Sequence, residues 1–243
     1  MPRVVVEISP VDEPHKGVLV VDWCIKNHCN YRCSYCPLSL HLGGLRGPTL
    51  AEARRIIDQI STASNRPWKH FQFTGGEPTG YKHLREVLEH LKELAHTAGL
   101  ISNGSRTLSW WGRYLHLIDE ITLTYHSELT VPDHLLALVA LLHREVKTHV
   151  NVAMLPAKFH TCLDFADRLA ASFEDISITL KPLLTDSSTS STLIRNSRRR
   201  SCAPLGGRTS SLGPWSVPRA RCGSISVMAI PRSSVQAVSL HLG

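Results

Sequence analysis

Eight residues, Cys29-Asn30-Tyr31-Arg32-Cys33-Ser34-Tyr35-Cys36, carry three thiols at C-x3-C-x2-C spacing. Sulfurs this close in sequence meet at one inorganic centre only if the chain curls into a loop, and Asn30, Ser34 and Pro37 are loop residues. Two kinds of centre suit thiolates so placed. Structural zinc is closed by four ligands, the fourth here being Cys24, His28 or His41. An iron–sulfur cluster held by three thiolates keeps one iron open to a non-protein ligand. A second stretch, Thr74-Gly75-Gly76-Glu77-Pro78, adds different chemistry. Adjacent glycines let backbone amides and carbonyls approach a ligand with no Cβ in the way. Glu77 offers a carboxylate to an ammonium group. The same five residues also read as a plain tight turn entering a helix.

Both stretches need elements to hold them. The pattern predicts strands over 18–24, 68–74, 100–102, 120–125, 148–154 and 175–180, with a further edge strand over 4–8. Cys24 reads as a core residue of the first of these. Thr49-Leu50-Ala51-Glu52 is a capping box, followed by Leu50, Ala53, Ile56, Ile57 and Ile60 at helical spacing. Further helices are predicted over 81–98, ended by Gly99, and over 109–117, 130–142 and 158–172. Thr130-Val131-Pro132-Asp133 has the pattern of a helix cap.

Strand-then-helix alternation, six times over, implies parallel strands with helical crossovers. Six units in residues 18–186 suit an open (β/α)6 partial barrel of the TIM type, with a flat doubly wound sheet as the alternative. Four strands alternate in character: His70, Gln72 and Thr74 with Phe71 and Phe73; Thr122, Thr124 and His126 with Ile121, Leu123 and Tyr125; His149 and Asn151 with Val150 and Val152; Ser177, Thr179 and Lys181 with Ile176, Ile178 and Leu180. Parallel strands covered on both faces are instead continuously apolar. The alternation predicts a polar concave interior.

C-x3-C-x2-C with an aromatic, Tyr35, before the last cysteine, followed by Gly75-Gly76-Glu77-Pro78 after the second strand, resembles the radical S-adenosylmethionine (radical SAM) enzymes. The resemblance covers roughly residues 18–181 and implies the same partial barrel. It implies that Cys29, Cys33 and Cys36 hold three irons of a 4Fe–4S cluster, the fourth being chelated by the methionine part of SAM. It implies that Gly75, Gly76, Glu77 and Pro78 contact the amino group of that cofactor. Ser102-Asn103-Gly104 resembles the T-N-G turn of many members. Thr124 and His126 fall where members place a polar side chain on the cofactor, and Tyr35 adjoins the cluster. His126 is also a candidate proton donor to substrate, and Lys181 a partner for an anionic substrate or cofactor carboxylate. An external flavodoxin- or ferredoxin-like electron donor is implied as well. The substrate is open among peptide, nucleotide and small metabolite.

Totals bound the rest. The 243 residues are 42% hydrophobic, enough for a core, and no apolar run reaches membrane-spanning length. The start carries no secretion signal. Seven cysteines, three of them clustered, argue against a disulfide framework and for a reducing cytoplasmic setting. The net charge of +7 belongs to the end of the chain: residues 187–243 hold eight Arg and no Lys or acid, while 1–186 balance 19 Lys plus Arg against 20 acids. Residues 1–17 read as an irregular lead-in. Residues 187–243, with 14 Ser, read as a low-order tail. The abrupt loss of acids resembles an out-of-frame translation, and Arg198-Arg199-Arg200 offers the alternative of phosphate binding to nucleic acid. A non-catalytic iron–sulfur protein is the other alternative.

Overall fold

The computed structural model describes residues 6–7, 18–38, 41, 43–65, 68–183 and 225–226. Eight strands form one sheet in sequence order: β1 (Val6–Glu7), β2 (Val18–Lys26), β3 (Trp68–Gly75), β4 (Thr97–Ser102), β5 (Glu120–His126), β6 (Lys147–Met154), β7 (Ser177–Pro182) and β8 (Ile225–Ser226). β1 is the edge strand, antiparallel to β2; all other pairings are parallel. Helices α1 (Leu50–Ala63), α2 (Leu84–Glu93), α3 (Leu108–Tyr114), α4 (Pro132–Leu142) and α5 (Phe159–Ser172) cross between β2 and β7. Strand order never reverses, so there is no switch point of the kind that defines a doubly wound sheet. The six parallel strands β2–β7 are an open (β/α)6 partial barrel. The tail reading falls almost wholly outside the described residues, apart from β8.

The two faces divide as the alternation predicts. Phe71, Phe73, Ile121, Leu123, Val150 and Val152 are fully buried on the helix side, packed against Ile57, Leu88, Leu91, Leu138, Val139, Phe165 and Leu169. His70, Gln72, Thr122 and Thr124 face inward and stay partly open. Gly99 lies in β4 under this inner layer. A Cβ there would come within 2.2 Å of the Gln72 amide oxygen and 2.8 Å of the His70 ring.

Three local readings change. Cys24 is exposed, because Val21, Trp23 and Ile25 take the helix side and parity turns Cys24 inward with Asp22. The helix expected to run to Ala98 ends at Glu93. The chain reverses through Ala95 at φ 56°, with Ala95 N–H donating to Lys92 O and His96 N–H to Leu91 O. That double bond is a Schellman cap built on an alanine. α4 has no side-chain cap at all: Val131 is its N-cap, and Thr130 Oγ1 instead accepts from His126 N–H at 3.1 Å. The capping box at Thr49 and Glu52 forms as expected.

Candidate functional site

The site stands where β2, β3, β4 and β5 deliver their loops at the carboxyl end of the barrel, the face that carries chemistry in such folds. Beyond β2 the chain turns through the three cysteines, with Cys36 N–H closing on Cys33 O at 3.1 Å. The end of β3 is laid directly on this loop. Gly76 N–H donates to Lys26 O at 2.9 Å and Glu77 N–H to His28 O at 3.0 Å. The approach is so close that both glycines are obligatory. At Gly75, φ is +129° and a Cβ would fall 1.9 Å from Lys26 O; at Gly76 it would fall 2.3 Å from the His28 carbonyl and 2.7 Å from Cys29 N. The two sequence motifs are therefore one interlocked piece of backbone.

Glu77, only 4% exposed, extends the knot to β4. Its Oε1 accepts from Thr79 N–H (3.1 Å), Thr79 Oγ1 (2.7 Å) and Ser102 Oγ (2.8 Å), and its Oε2 from Asn103 N–H (2.8 Å). Pro78 starts the 3-10 turn Pro78–Gly80 that places Thr79. Among the described residues Oε2 accepts from Asn103 N–H alone and is the less occupied of the two oxygens. Asn103 reaches back to the cysteine loop, with Nδ2 donating to Asn30 Oδ1 at 2.9 Å and lying 3.8 Å from Cys29 Sγ. Asn30 Nδ2 in turn donates to Ser105 Oγ at 2.9 Å.

A second clamp comes from the loop after β5 and has no counterpart in the motifs. Glu128 accepts from Ser34 N–H (2.8 Å) and Ser34 Oγ (2.6 Å). Tyr35 Oη and His126 Nδ1 are 2.6 Å apart with their rings stacked, and Tyr31 meets the His126 ring edge-on. Burial pushes His126 down to about 4, so it is a neutral imidazole near pH 7. A neutral ring tied to Tyr35 orients that hydroxyl. Thr124 faces the interior beside Asn151, its register partner, and Lys181 pairs in register with Ala153 at the outer end of β7.

Burial pushes all three cysteine thiols up, Cys33 to about 11, and Glu77 and then the Cys36 thiol push Cys29 the same way. Thiols so placed ionise when a cationic centre compensates them, which is the chemistry of a metal-ligating set. Cys29 Sγ also accepts Tyr31 N–H at 3.4 Å, the kind of N–H to sulfur contact that tunes a cluster ligand. Among the described residues, no three His, Cys, Asp or Glu side chains close around a single ion. Beside the cysteines lies a cavity of about 300 Å³ lined by Lys26, His28, Asn30, Glu77, Ser105 and Arg106 among others. Burial draws the Lys26 ammonium down, against the pull of Glu77.

A (β/α)6 partial barrel with a three-cysteine loop knotted to a Gly-Gly-Glu-Pro turn defines a class, and comparison with known proteins gives the same one. The sequence model of the Radical SAM superfamily matches residues 23–154, more than half of the chain, and the chain belongs to that superfamily. It is 35% identical over 81 residues to a probable GTP 3',8-cyclase of Pyrococcus horikoshii, a match covering 33% of this chain and 25% of that protein. It is 32% identical over 101 residues to an S-adenosylmethionine-dependent nucleotide dehydratase of Psychrobacter lutiphocae, covering 36% of this chain and 33% of that protein. The matches thus span about a third or less of these curated relatives. Among solved structures, native anSMEcpe with bound AdoMet superposes with TM-score 0.54 at 16% identity, over 69% of this chain and 51% of that one. SuiB of Streptococcus suis bound to S-adenosylmethionine superposes with TM-score 0.52 at 18% identity, over 72% and 44%. These likenesses bear on the fold. No helix among the described residues is long and apolar enough to cross a membrane.

Proposed function

We propose that this chain is a radical SAM enzyme in which Cys29, Cys33 and Cys36 hold a 4Fe–4S cluster and the cavity beside them receives S-adenosylmethionine. When bound, this pair would take one electron from an external flavodoxin- or ferredoxin-like donor and split the sulfonium C–S bond, giving methionine and a 5'-deoxyadenosyl radical that takes hydrogen from substrate. The chain's own residues do the positioning. Gly75 and Gly76 bring β3 flush against the cysteine loop, Glu77 Oε2 accepts from the methionyl ammonium, and Ser102 and Asn103 hold that carboxylate in place. Tyr35, His126 and Glu128 fix the outer half of the cysteine loop. Thr124 on the inner face is placed to meet the remainder of the cofactor.

The observation that carries this reading is the backbone interlock, Gly76 to Lys26 and Glu77 to His28, which ties a triple-thiol loop to an ammonium-accepting carboxylate. A solitary zinc knot or plain turn has no need of it. For substrate, a nucleotide ranks first, since both curated relatives are named for nucleotide chemistry; the peptide bound by SuiB in another solved structure belongs to a likeness of fold alone. Anaerobic reconstitution with iron and sulfide, then dithionite and SAM, tests the class. Release of 5'-deoxyadenosine is the expected result, and a cluster that never cleaves SAM would mark a non-catalytic iron–sulfur protein.

A further inference from the structure

The turn after β5 presses a carboxylate onto the cysteine loop and leaves it little room to drift. Leu129 N–H and Thr130 N–H both donate to His126 O, at 2.9 and 2.8 Å, and His126 N–H donates to Thr130 Oγ1 at 3.1 Å. From this closed turn Glu128 takes both donors of Ser34, the residue after Cys33: the hydroxyl at 2.6 Å and the amide at 2.8 Å. Those two bonds, and then Lys158, hold its carboxyl below the usual range, so Glu128 is a full negative charge at neutral pH. Lys158 gives its Nζ to Ser127 O at 3.0 Å rather than to the carboxylate. The two ends of the loop are therefore treated differently. Cys29 Sγ accepts Tyr31 N–H, and Asn103 Nδ2 lies 3.8 Å from it. Hydrogen bonds to ligand sulfur draw charge away and raise a cluster's potential, while added negative charge lowers it. Beside Cys33, the Ser34 amide is taken by a carboxylate, and the field of Glu128 raises the Cys33 thiol after burial and the neighbouring thiols have done so.

We propose that the charge of Glu128 makes the cluster held by Cys29, Cys33 and Cys36 a stronger reductant than its loop alone would make it. The inference rests on the radical SAM reading above. It gives Glu128 a task that clamping the loop does not require, because a neutral amide would clamp as well. In Glu128→Gln the amide oxygen accepts from Ser34 N–H and the amide nitrogen donates to Ser34 Oγ, so both contacts persist and only the charge is lost. The charge raises the energy of the reduced state, which favours passing the electron on to a sulfonium and makes loading it from the external donor harder.

Potentiometry, not turnover, tests it. The full chain is reconstituted anaerobically with iron and sulfide, and its reduced cluster is followed by electron paramagnetic resonance through a dye-mediated dithionite titration. Glu128→Gln is expected to hold as much iron as the parent and to be easier to reduce. Its reduced-to-oxidised ratio at a fixed potential should rise about threefold or more, which for one electron is about 30 mV. The gap should narrow at about 1 M KCl, where the screening length is shortest. Ser34→Ala loses one clamp bond but keeps the charge, and is expected to stay within about 1.5-fold of the parent ratio. Lys158→Met removes a cation that offsets Glu128, and is expected to lower the ratio. An unmoved potential in iron-loaded Glu128→Gln, or an equal shift in Ser34→Ala, overturns the charge effect and leaves a clamp alone. If Glu128→Gln takes up no iron, Lys158→Met against Ser34→Ala carries the comparison, and a ratio that Lys158→Met raises or leaves unmoved overturns the proposal. A parent protein that binds zinc in place of iron, or whose cluster signal ignores added SAM, overturns the radical SAM reading first, before any variant is compared.

Discussion

A methyl group on Gly76 would press on the His28 carbonyl at 2.3 Å and on Cys29 N at 2.7 Å, and backbone on both sides leaves nothing flexible to yield. Gly76→Ala should therefore cost about 2 kcal/mol or more in urea unfolding and lower iron uptake with it. Gly44→Ala is the matching control, since a Cβ there meets nothing within 4 Å, and it should stay within about 0.5 kcal/mol of the parent. Equal effects at the two positions would refute the interlock. His96 gives a second test, away from the cysteines. It is 7% exposed, its Nε2 bonds Ser61 Oγ at 2.8 Å, its Nδ1 has no hydrogen-bond partner among the described residues, and its ring stacks on Phe71. Burial, and then Lys69, hold it below the usual histidine range. As pH falls below about 6.5 the unfolded chain takes this proton before the folded one does, so stability drops until the folded pKa is reached. Urea midpoints of the parent should fall more steeply between pH 7.5 and 5.5 than those of His96→Gln. The other histidines are common to both proteins and cancel; parallel slopes would show that His96 is not responsible.

At the scale of elements, α2 is the informative case. Leu84, Val87, Leu88, Leu91 and Leu94 recur in the sequence at helical spacing; the first four are fully buried, but Leu94 lies past the helix end and is exposed, so the stripe was legible and its end was not. Gly99 looked like the terminator because glycine is the usual residue beyond a helix end. The chain instead turns at Ala95, and Gly99 is needed later, where β4 passes beneath Gln72 and His70. An alanine in the left-handed region carries a steric cost that glycine escapes. Ala95→Gly should thus raise stability by about 0.5–1 kcal/mol, read as a higher urea midpoint with unchanged slope; a loss would mean that the Ala95 methyl packs usefully. The β5 clamp was legible only in part: His126 stood out as a site candidate, but Glu128 is an ordinary loop residue, and only the fold brings the pair onto Tyr35 and Ser34, 91 and 94 residues away in sequence. The cysteines and glycines, by contrast, announce themselves, because their chemistry tolerates few substitutes. Thr130 shows how such local patterns compete: its hydroxyl can cap α4 or accept from His126 N–H, and the turn between β5 and α4 takes the second.

At the scale of the molecule, every fully buried apolar residue of the main core among the described residues lies between Val21 and Ile178. β8 touches this body through a two-residue parallel pairing, Ile178 with Ile225 and Thr179 with Ser226. A pair of ladder contacts contributes on the order of 1–2 kcal/mol net, small beside a core that links five helices to both ends of the β2–β7 sheet. The site draws on β2 through β5 and the loops beyond them, all of them distant from that edge. A chain ending at Asp186 should accordingly unfold in one cooperative step with a stability within about 2 kcal/mol of the full chain, and should take up the same iron per molecule on reconstitution. It will also leave the far edge of β7 open, and unpaired strand edges recruit other chains. Light scattering on warming should therefore begin earlier than in the full chain even where the urea midpoints agree. Loss of the cooperative transition would show instead that residues 187–243 complete the domain, and the boundary drawn at residue 186 would have to move.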